Sequence, residues 1–299
     1  MGNNLFQYAV ARIISENLGF ELKTSFTQSA LIGKNKADFH RLMSAFNNAP
    51  VNIAGKAYFK HIDHTIDMAS YEFDGFSANL HSIIENKEAR LIRVNGFFER
   101  YEIIQSFKDL IKEWYRIDPL HLGYDIQPDD IVIHIRRGDF VVVDRALSLD
   151  YYTDILKNLD YRKLYICGVG LDNNVKTHFK KFKPTYVLGD PVKDFRFMKG
   201  FNRIIQSQST FSWWSGFLSD AEEIHSPIPN KNSSGFHQTF QKIDLKVTDE
   251  NRYHYTFDVK QSEKHFGLND LISSWPELPK HQRRHFALSL IKHWSGIKS

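Results

Sequence analysis

His134-Ile135-Arg136-Arg137-Gly138-Asp139 is the stretch that decides the fold, and it directly follows the apolar run Ile131-Val132-Ile133. That order predicts a buried strand that ends in a loop at two adjacent arginines. α/β proteins bind ligands at the carboxyl ends of parallel strands, and a planar guanidinium suits phosphate or carboxylate oxygens better than an ammonium group does. The stretch therefore predicts an anionic ligand, with a diphosphate favoured. The alternative is a structural ion pair between Asp139 and one of the arginines.

The pattern beyond residue 131 alternates short apolar runs with amphipathic segments of helical length. This alternation predicts an α/β fold, in which a parallel sheet with right-handed crossovers carries helices on both faces. Such a lobe is typical of nucleotide-binding proteins. The predicted strands are 131–134, 164–167, 186–188, 203–206 and 223–225, and the predicted helices are 151–158, 174–181, 193–200 and 211–219.

The chain of 299 residues lies near the size at which one core gives way to two. Before residue 120 the pattern is less regular, with helices predicted over 5–18 and 103–115 and a strand over 90–97. Asp118-Pro119 breaks the chain and is the predicted linker. We predict a first lobe over 1–120, a nucleotide-binding lobe over 121–245, and a C-terminal extension over 246–299 that ends in an amphipathic helix.

Composition and charge exclude several classes of protein. With 42% hydrophobic and 25% charged residues, the chain is typical of a globular protein and not of a disordered one. The net charge is only +4 and acidic residues are dispersed along the same segments, so we expect no nucleic-acid partner. Cys167 is the only cysteine. A single cysteine cannot form an internal disulfide, and the place of Cys167 at the end of an apolar run predicts a core residue.

The chain opens without a basic and apolar leader, and it contains no apolar run of about 18 residues that could span a bilayer. We therefore expect a cytoplasmic protein. The basic amphipathic stretch over 283–294 predicts a helix that packs on its own protein. The alternative is peripheral contact between this stretch and an anionic membrane surface.

Three further stretches place polar groups at predicted loop or helix ends. Ser207-Gln208-Ser209-Thr210-Phe211 follows a predicted strand and opens a helix, which favours phosphate, although Ser209 or Thr210 acting only as a helix N-cap is the alternative. Gly2-Asn3-Asn4 precedes an amphipathic helix. Asn95-Gly96-Phe97-Phe98-Glu99 forms a predicted turn that suits a sugar, or is a plain turn. No Asp-x-Asp pair of the kind that holds a metal diphosphate occurs, so we expect no metal and assign the neutralisation of a diphosphate to the arginines.

Together these blocks, in this order, resemble the family 11 glycosyltransferases, the α-1,2-fucosyltransferases that use GDP-fucose. Residues 134–140 match the family's His-x-Arg-Arg-Gly-Asp-Tyr signature, with 147–152 just beyond, and residues 209–215 match its Ser-Ser/Thr-Phe-Ser-Trp-Trp block. Residues 1–9 are similar to its Gly-Asn-Gln-Leu/Met-Phe-Gln-Tyr-Ala block, and residues 91–101 to its Gly-Tyr/Phe-Phe/Trp-Gln block. The likeness covers roughly residues 1–230.

The resemblance implies a GT-B-like architecture of two Rossmann-like lobes, in which 1–120 binds the acceptor and 121–245 binds the donor. It also implies a metal-independent, inverting transfer of L-fucose from GDP-fucose to the 2-hydroxyl of a galactoside that terminates a glycan. Arg136 is then the arginine that clamps the β-phosphate, and Asp139 either takes part in catalysis or only orients the arginines. The implied donor-pocket residues are His134, Arg136, Arg137, Ser209, Thr210 and Phe211, with Asn3 and Asn4 bordering the cleft.

This chain departs from the family's pattern at several positions. It begins inside the glycine-rich motif, so we expect the first strand of the N-terminal lobe to be missing. Asn4 replaces the usual Gln, and Glu99 stands where Gln is common, which affects acceptor identity more than donor identity. Asp139 and Glu99 are both candidates for the base that takes the acceptor proton. The alternative function is a degenerate transferase fold that binds nucleotide or glycan without turnover.

Overall fold

The computed structural model describes residues 1–24, 34–52, 69–72, 79–85, 92–142, 145–229 and 243–260. The C-terminal helix predicted at 283–294 lies outside the described residues. None of the helices that the structure describes is long and apolar enough to cross a membrane.

The N-terminal part of the chain forms helices around a two-stranded parallel sheet. Its first helix starts at Gly2, so the described residues include no strand ahead of it. The helix predicted over 103–115 is real but is divided by a 3-10 turn. The elements are α1 (Gly2–Leu18), α2 (Lys34–Ala45), β1 (Ala69–Glu72), α3 (Leu80–Glu85), β2 (Ile92–Asn95), α4 (Tyr101–Ile104), the 3-10 turn (Gln105–Phe107) and α5 (Lys108–Trp114).

The remaining described chain alternates strands with helices, which confirms the predicted α/β pattern. Ser148, Asp172 and Asp190 cap three of these helices, because each side chain accepts a backbone N–H from the first turn. The elements are β3 (Ile131–Arg136), α6 (Asp139–Val142), α7 (Leu149–Leu156), β4 (Leu164–Val169), α8 (Asn173–Phe179), a 3-10 turn (Lys180–Phe182), β5 (Thr185–Val187), α9 (Pro191–Met198), β6 (Arg203–Ile205), α10 (Thr210–Phe217), β7 (Glu223–Pro229) and β8 (Tyr253–Val259).

The large sheet has six parallel strands in the order β5-β4-β3-β6-β7-β8. Strands β3, β4 and β5 follow one another toward one edge of the sheet, and β6, β7 and β8 follow one another from β3 toward the other edge. This is the order of doubly wound nucleotide-binding folds. Ligands in such folds bind at the switch point, outside the carboxyl ends of the two central strands. Here those strands are β3 and β6. The fold therefore predicts that the residues that follow β3 and β6 form the ligand site.

β8 is a strand of the large sheet that the sequence analysis does not predict. It extends the sheet beside β7 from within the segment assigned to a C-terminal extension, with Ile224 opposite Tyr253 and His225 opposite His254. Arg252, just before β8, donates to the carbonyls of Phe217 and Ser219 at the end of α10. The first part of this segment is thus built into the sheet.

Alternation along β3 divides the core between the two faces of the sheet. Ile131, Ile133 and Ile135 pack with α7 and α8 on one face. Val132 belongs to the larger apolar cluster on the other face, which includes α9, α10 and α1. Within that cluster the Phe6 ring lies 4.6 Å from the Trp214 ring. Residues of the predicted first and second lobes therefore share one continuous apolar core.

Candidate functional site

A buried hydrogen bond joins the ends of the two central strands. His134 is 2% exposed, and its Nδ1 lies 2.8 Å from Ser207 Oγ in the loop after β6. Burial, together with the nearby Arg136 charge, lowers the pKa of His134 to about 3, so its imidazole is neutral at physiological pH. The His134 ring also packs 5.4 Å from that of Phe211. His134 therefore fixes the switch point by a hydrogen bond and packing, and it brings no charge there.

The two adjacent arginines occupy different environments. Arg136 is half-buried, on the same face of the sheet as His134, whose pKa it lowers. Arg137 is buried beside Tyr152, where burial raises the pKa of the tyrosine hydroxyl and the Arg137 charge partly offsets that rise. Tyr152 belongs to the apolar cluster under the opposite face. The expected pair of guanidinium groups at one ligand is thus divided between the two faces.

Arg145 is the residue that the sequence analysis missed. Its guanidinium carbon lies 4.7 Å from the centre of the Phe140 ring, and that of Arg136 lies 5.0 Å from the same centre. Attraction between a cation and an aromatic face holds both arginines against this ring. The second arginine near Arg136 is therefore nine positions along the chain and not next to it. No local pattern marks Arg145, since it follows a loop without regular periodicity.

The start of α10 meets the start of α1. Ser209 caps α10, because its Oγ accepts the N–H of Phe211 at 3.3 Å. Thr210 Oγ1 donates to Asn3 Oδ1 at 2.6 Å. Gly2 approaches so closely that a Cβ there would overlap the Phe211 nitrogen and Thr210 Oγ1. The interpretation of Ser209 as a helix N-cap is confirmed. Asn3 is hydrogen-bonded to the block over 209–215.

Asn4 is linked to the block over 91–101 through Gln7. Its Nδ2 donates to Gln7 Oε1 at 3.0 Å, and Gln7 Nε2 donates to the Gly96 carbonyl at 2.7 Å. The amide of Asn4 therefore orients Gln7, which fastens α1 to the turn that carries Glu99. The structure thus brings the four blocks together around the switch point, through hydrogen bonds that their side chains make to one another or to the backbone.

A cleft opens beside the switch point, with an empty space of about 650 Å³ that includes its open mouth. Glu99 and Arg145 lie on its walls, whereas Arg136 and Arg137 are not among its lining residues. The other lining residues are Gln206, Ser207, Gln208, Ser209, Thr210, Trp213, Ser226, Pro227, Ile228, Ile243, Asp244 and Leu245.

Two carboxyl groups, those of Glu99 and Asp244, line this cleft, and Glu99 is the buried one. It is 3% exposed, and burial raises its pKa to about 7, with the Arg145 charge acting in the opposite direction. The side chain of Asp139, at the start of α6, lies outside what the structure describes, so its role stays a prediction. A second buried carboxyl, Asp194 on α9, also has its pKa raised to about 7, by burial and then by Asp190, but it does not line the cleft.

The metal-binding side chains of the described residues form no cluster of three or more. Among them, no three His, Cys, Asp or Glu side chains stand close enough together to hold a metal ion. Cys167 is buried on β4, and burial raises its pKa well above the usual value. It is therefore a poor nucleophile, as its core position predicts.

Comparisons with known proteins identify the family. Residues 16–248 match Glycosyl transferase family 11, which is more than three quarters of the chain. The match includes the arginine, serine and Glu99 blocks, while the block over 1–9 lies ahead of it. No curated protein and no solved structure matched in the other comparisons. On the evidence of this match, the chain belongs to glycosyl transferase family 11.

Proposed function

We propose that this protein transfers L-fucose from GDP-fucose to the 2-hydroxyl of a galactoside that terminates a glycan, with inversion and without a metal. The observation that carries the proposal is the convergence of the four family-like blocks at the switch point of the sheet. His134 bonds Ser207, Thr210 bonds Asn3, and Gln7 bonds the Gly96 carbonyl. Three of the four blocks lie within the residues that match glycosyl transferase family 11, which supports the proposal.

The reaction needs positive charge and hydrogen-bond donors where the donor's diphosphate departs. As the bond between the fucosyl carbon and the β-phosphate breaks, negative charge grows on the phosphate oxygens. Fixed cations and backbone N–H groups that are stronger partners in this transition state than in the ground state lower the barrier. We assign the clamp to Arg136, with the start of α10 at Thr210 supplying N–H groups and a positive helix end.

The remaining predicted donor residues shape the pocket in this proposal. Neutral His134 and the ring of Phe211 hold the loop after β6 in place, and buried Arg137 supports the loop after β3 from the opposite face. Asn3 fixes the hydroxyl of Thr210. Asn4 acts on the acceptor side, through Gln7 and the turn at Gly96. Asp139 remains a proposed orienting or catalytic group.

The test is a transfer assay with the purified full chain. GDP-fucose is incubated with a panel of galactosides, GDP release is followed with and without EDTA, and the product linkage is determined by NMR. We expect GDP release that depends on the galactoside, persists in EDTA and yields a fucosyl-α-1,2-galactoside. Binding of GDP by calorimetry without any release would instead favour a degenerate transferase that binds without turnover.

A further inference from the structure

We propose that Glu99 accepts the proton of the attacking acceptor hydroxyl and that Arg145 acts as a positioning residue through its charge on Glu99. This inference rests on the proposed transferase function and specifies the catalytic residue for its acceptor half. It goes beyond the family pattern, because an uncharged glutamine is common where this chain carries Glu99.

The position of Glu99 in the cleft is the first argument. Its side chain is 3% exposed yet lines the cleft together with Thr210 and Arg145. Burial and charge account for its electrostatic environment, and no hydrogen bond from the described residues contributes to it. A buried carboxylate to which none of the described residues donates a hydrogen bond is stabilised when a ligand supplies that bond. An acceptor hydroxyl is a donor of that kind.

The backbone around Glu99 is rigid, which a proton acceptor requires. Its carbonyl accepts the N–H of Asp244 at 3.0 Å, and the N–H of Tyr101 donates to the Asp244 carbonyl at 2.7 Å. Phe98, directly before Glu99, is fully buried and has a φ of 54°. A bulky residue in this left-handed region stores about 1–3 kcal/mol of strain, which is found mainly at functional sites.

The chemical step balances with Glu99 as the acceptor. The hydroxyl oxygen of the galactoside forms a bond to the fucosyl carbon while the bond from that carbon to the β-phosphate oxygen breaks. The electron pair of the broken bond leaves with GDP, and the hydroxyl proton moves to the carboxylate of Glu99. Inversion requires the nucleophile to approach from the side opposite the departing diphosphate. The proposal therefore places the acceptor hydroxyl between Glu99 and the fucosyl carbon, on the side away from the diphosphate.

The charged groups that face Glu99 set the pH at which it is ionised. From the α6–α7 connection, Arg145 favours the carboxylate, and so does the amino group of Met1 at the start of α1. Asp244, on the segment before β8, is the other carboxyl that lines the cleft. Burial outweighs the two positive charges, and the pKa of Glu99 is raised to about 7. A general base is most effective when its pKa lies near the working pH.

The experiment measures transfer as a function of pH for wild type and Glu99→Gln. For wild type we expect kcat to rise about tenfold per pH unit below pH 7 and to level off above it. The Glu99→Gln variant should lose roughly 10²- to 10⁴-fold in kcat and the rising limb, while its GDP affinity by calorimetry stays that of wild type. A wild-type profile in Glu99→Gln, or a loss of its GDP affinity, would overturn the assignment.

Variants of Arg145 and a matched buried carboxyl complete the test. Arg145→Met removes the charge that favours ionised Glu99, so the rising limb should move upward by on the order of one pH unit; Arg145→Lys should return it toward wild type. Asp194→Asn neutralises a buried carboxyl with a similarly raised pKa outside the cleft, and it should keep the rising limb. If the rise of kcat with pH is lost in Asp194→Asn but kept in Glu99→Gln, the proposal is contradicted.

The two proposals fail in distinguishable ways. If wild type binds GDP but transfers no fucose at any pH, the proposed function is wrong and the role of Glu99 falls with it. If wild type transfers fucose and Glu99→Gln does so at the same rate with the same profile, only the role of Glu99 is wrong.

Discussion

Replacing Glu99 by glutamine should flatten part of the dependence of stability on pH. Burial raises the pKa of Glu99 from 4.5 to about 7. Between these two values the folded state holds the proton more tightly than the unfolded state does. The free energy of unfolding of wild type therefore falls as pH rises through this window and stays lower above it. Glutamine has the same shape but cannot ionise, so the variant lacks this loss.

The magnitude follows from the shift. One pKa unit corresponds to 1.36 kcal/mol, so a rise from 4.5 to about 7 is worth roughly 3 kcal/mol. The amide also brings an N–H₂ group into the cleft, and a buried donor without a partner costs about 1–3 kcal/mol. That cost is the same at every pH. The diagnostic quantity is therefore the change in the difference between variant and wild type from pH 4 to pH 8, which should be roughly 3 kcal/mol in favour of the variant.

The assay is urea unfolding at a series of pH values, followed by the fluorescence of the buried Trp213 and Trp214. Asp194→Asn is the matched comparison, because burial raises the pKa of Asp194 from 3.8 to about 7. It should therefore show a change of the same sign and roughly 4 kcal/mol. If the curves of Glu99→Gln and wild type run parallel from pH 4 to pH 8, the Glu99 carboxyl is not desolvated and the reasoning above is refuted.

Three further substitutions test the fold and the proposed function. Gly2→Ala should lower the free energy of unfolding by about 1–3 kcal/mol, because a Cβ there overlaps the start of α10 at Phe211; unchanged urea unfolding would contradict this close approach. Arg136→Lys should lower kcat roughly 10²- to 10³-fold with unfolding unchanged, since lysine keeps the charge and loses the planar fork; near-normal turnover would refute the clamp. Arg252→Met should cost about 2–4 kcal/mol of unfolding free energy, because it removes donors to carbonyls at Phe217 and beyond; a loss below about 0.5 kcal/mol would mark this segment as accessory.

The sequence predicts the sheet well because periodicity reports burial. The runs at 131–134 and 164–167 are mostly apolar and are buried at every position, as expected of strands covered on both faces, and the structure extends each by two residues. The sequence pattern does not predict β8, because this strand lies at the sheet edge. There the buried Tyr253 and Val259 flank exposed or half-exposed residues. An edge strand carries polar groups on its open side, so its sequence resembles a polar loop.

The candidate site is predictable wherever residues follow central strands directly. His134 and Ser207 could be placed together because the ends of parallel strands meet at one edge, and the structure joins them at 2.8 Å. Arg145 could not be placed in this way. It approaches Arg136 because both guanidinium groups pack on Phe140, and no local sequence pattern indicates this contact.

The sequence alone predicts that Arg136 and Arg137 lie on opposite faces of the sheet, because side chains alternate across a strand. Arg136 continues the even positions of β3 with Val132 and His134, and Arg137 continues the odd positions with Ile133 and Ile135. Adjacency in the sequence therefore indicates opposite faces, and in the proposed function only Arg136 of the two acts as the clamp. In this fold, positive charge near the clamp comes from Arg145. Because Arg145 also acts on Glu99, a single side chain links the proposed clamp, Arg136, to the proposed proton acceptor.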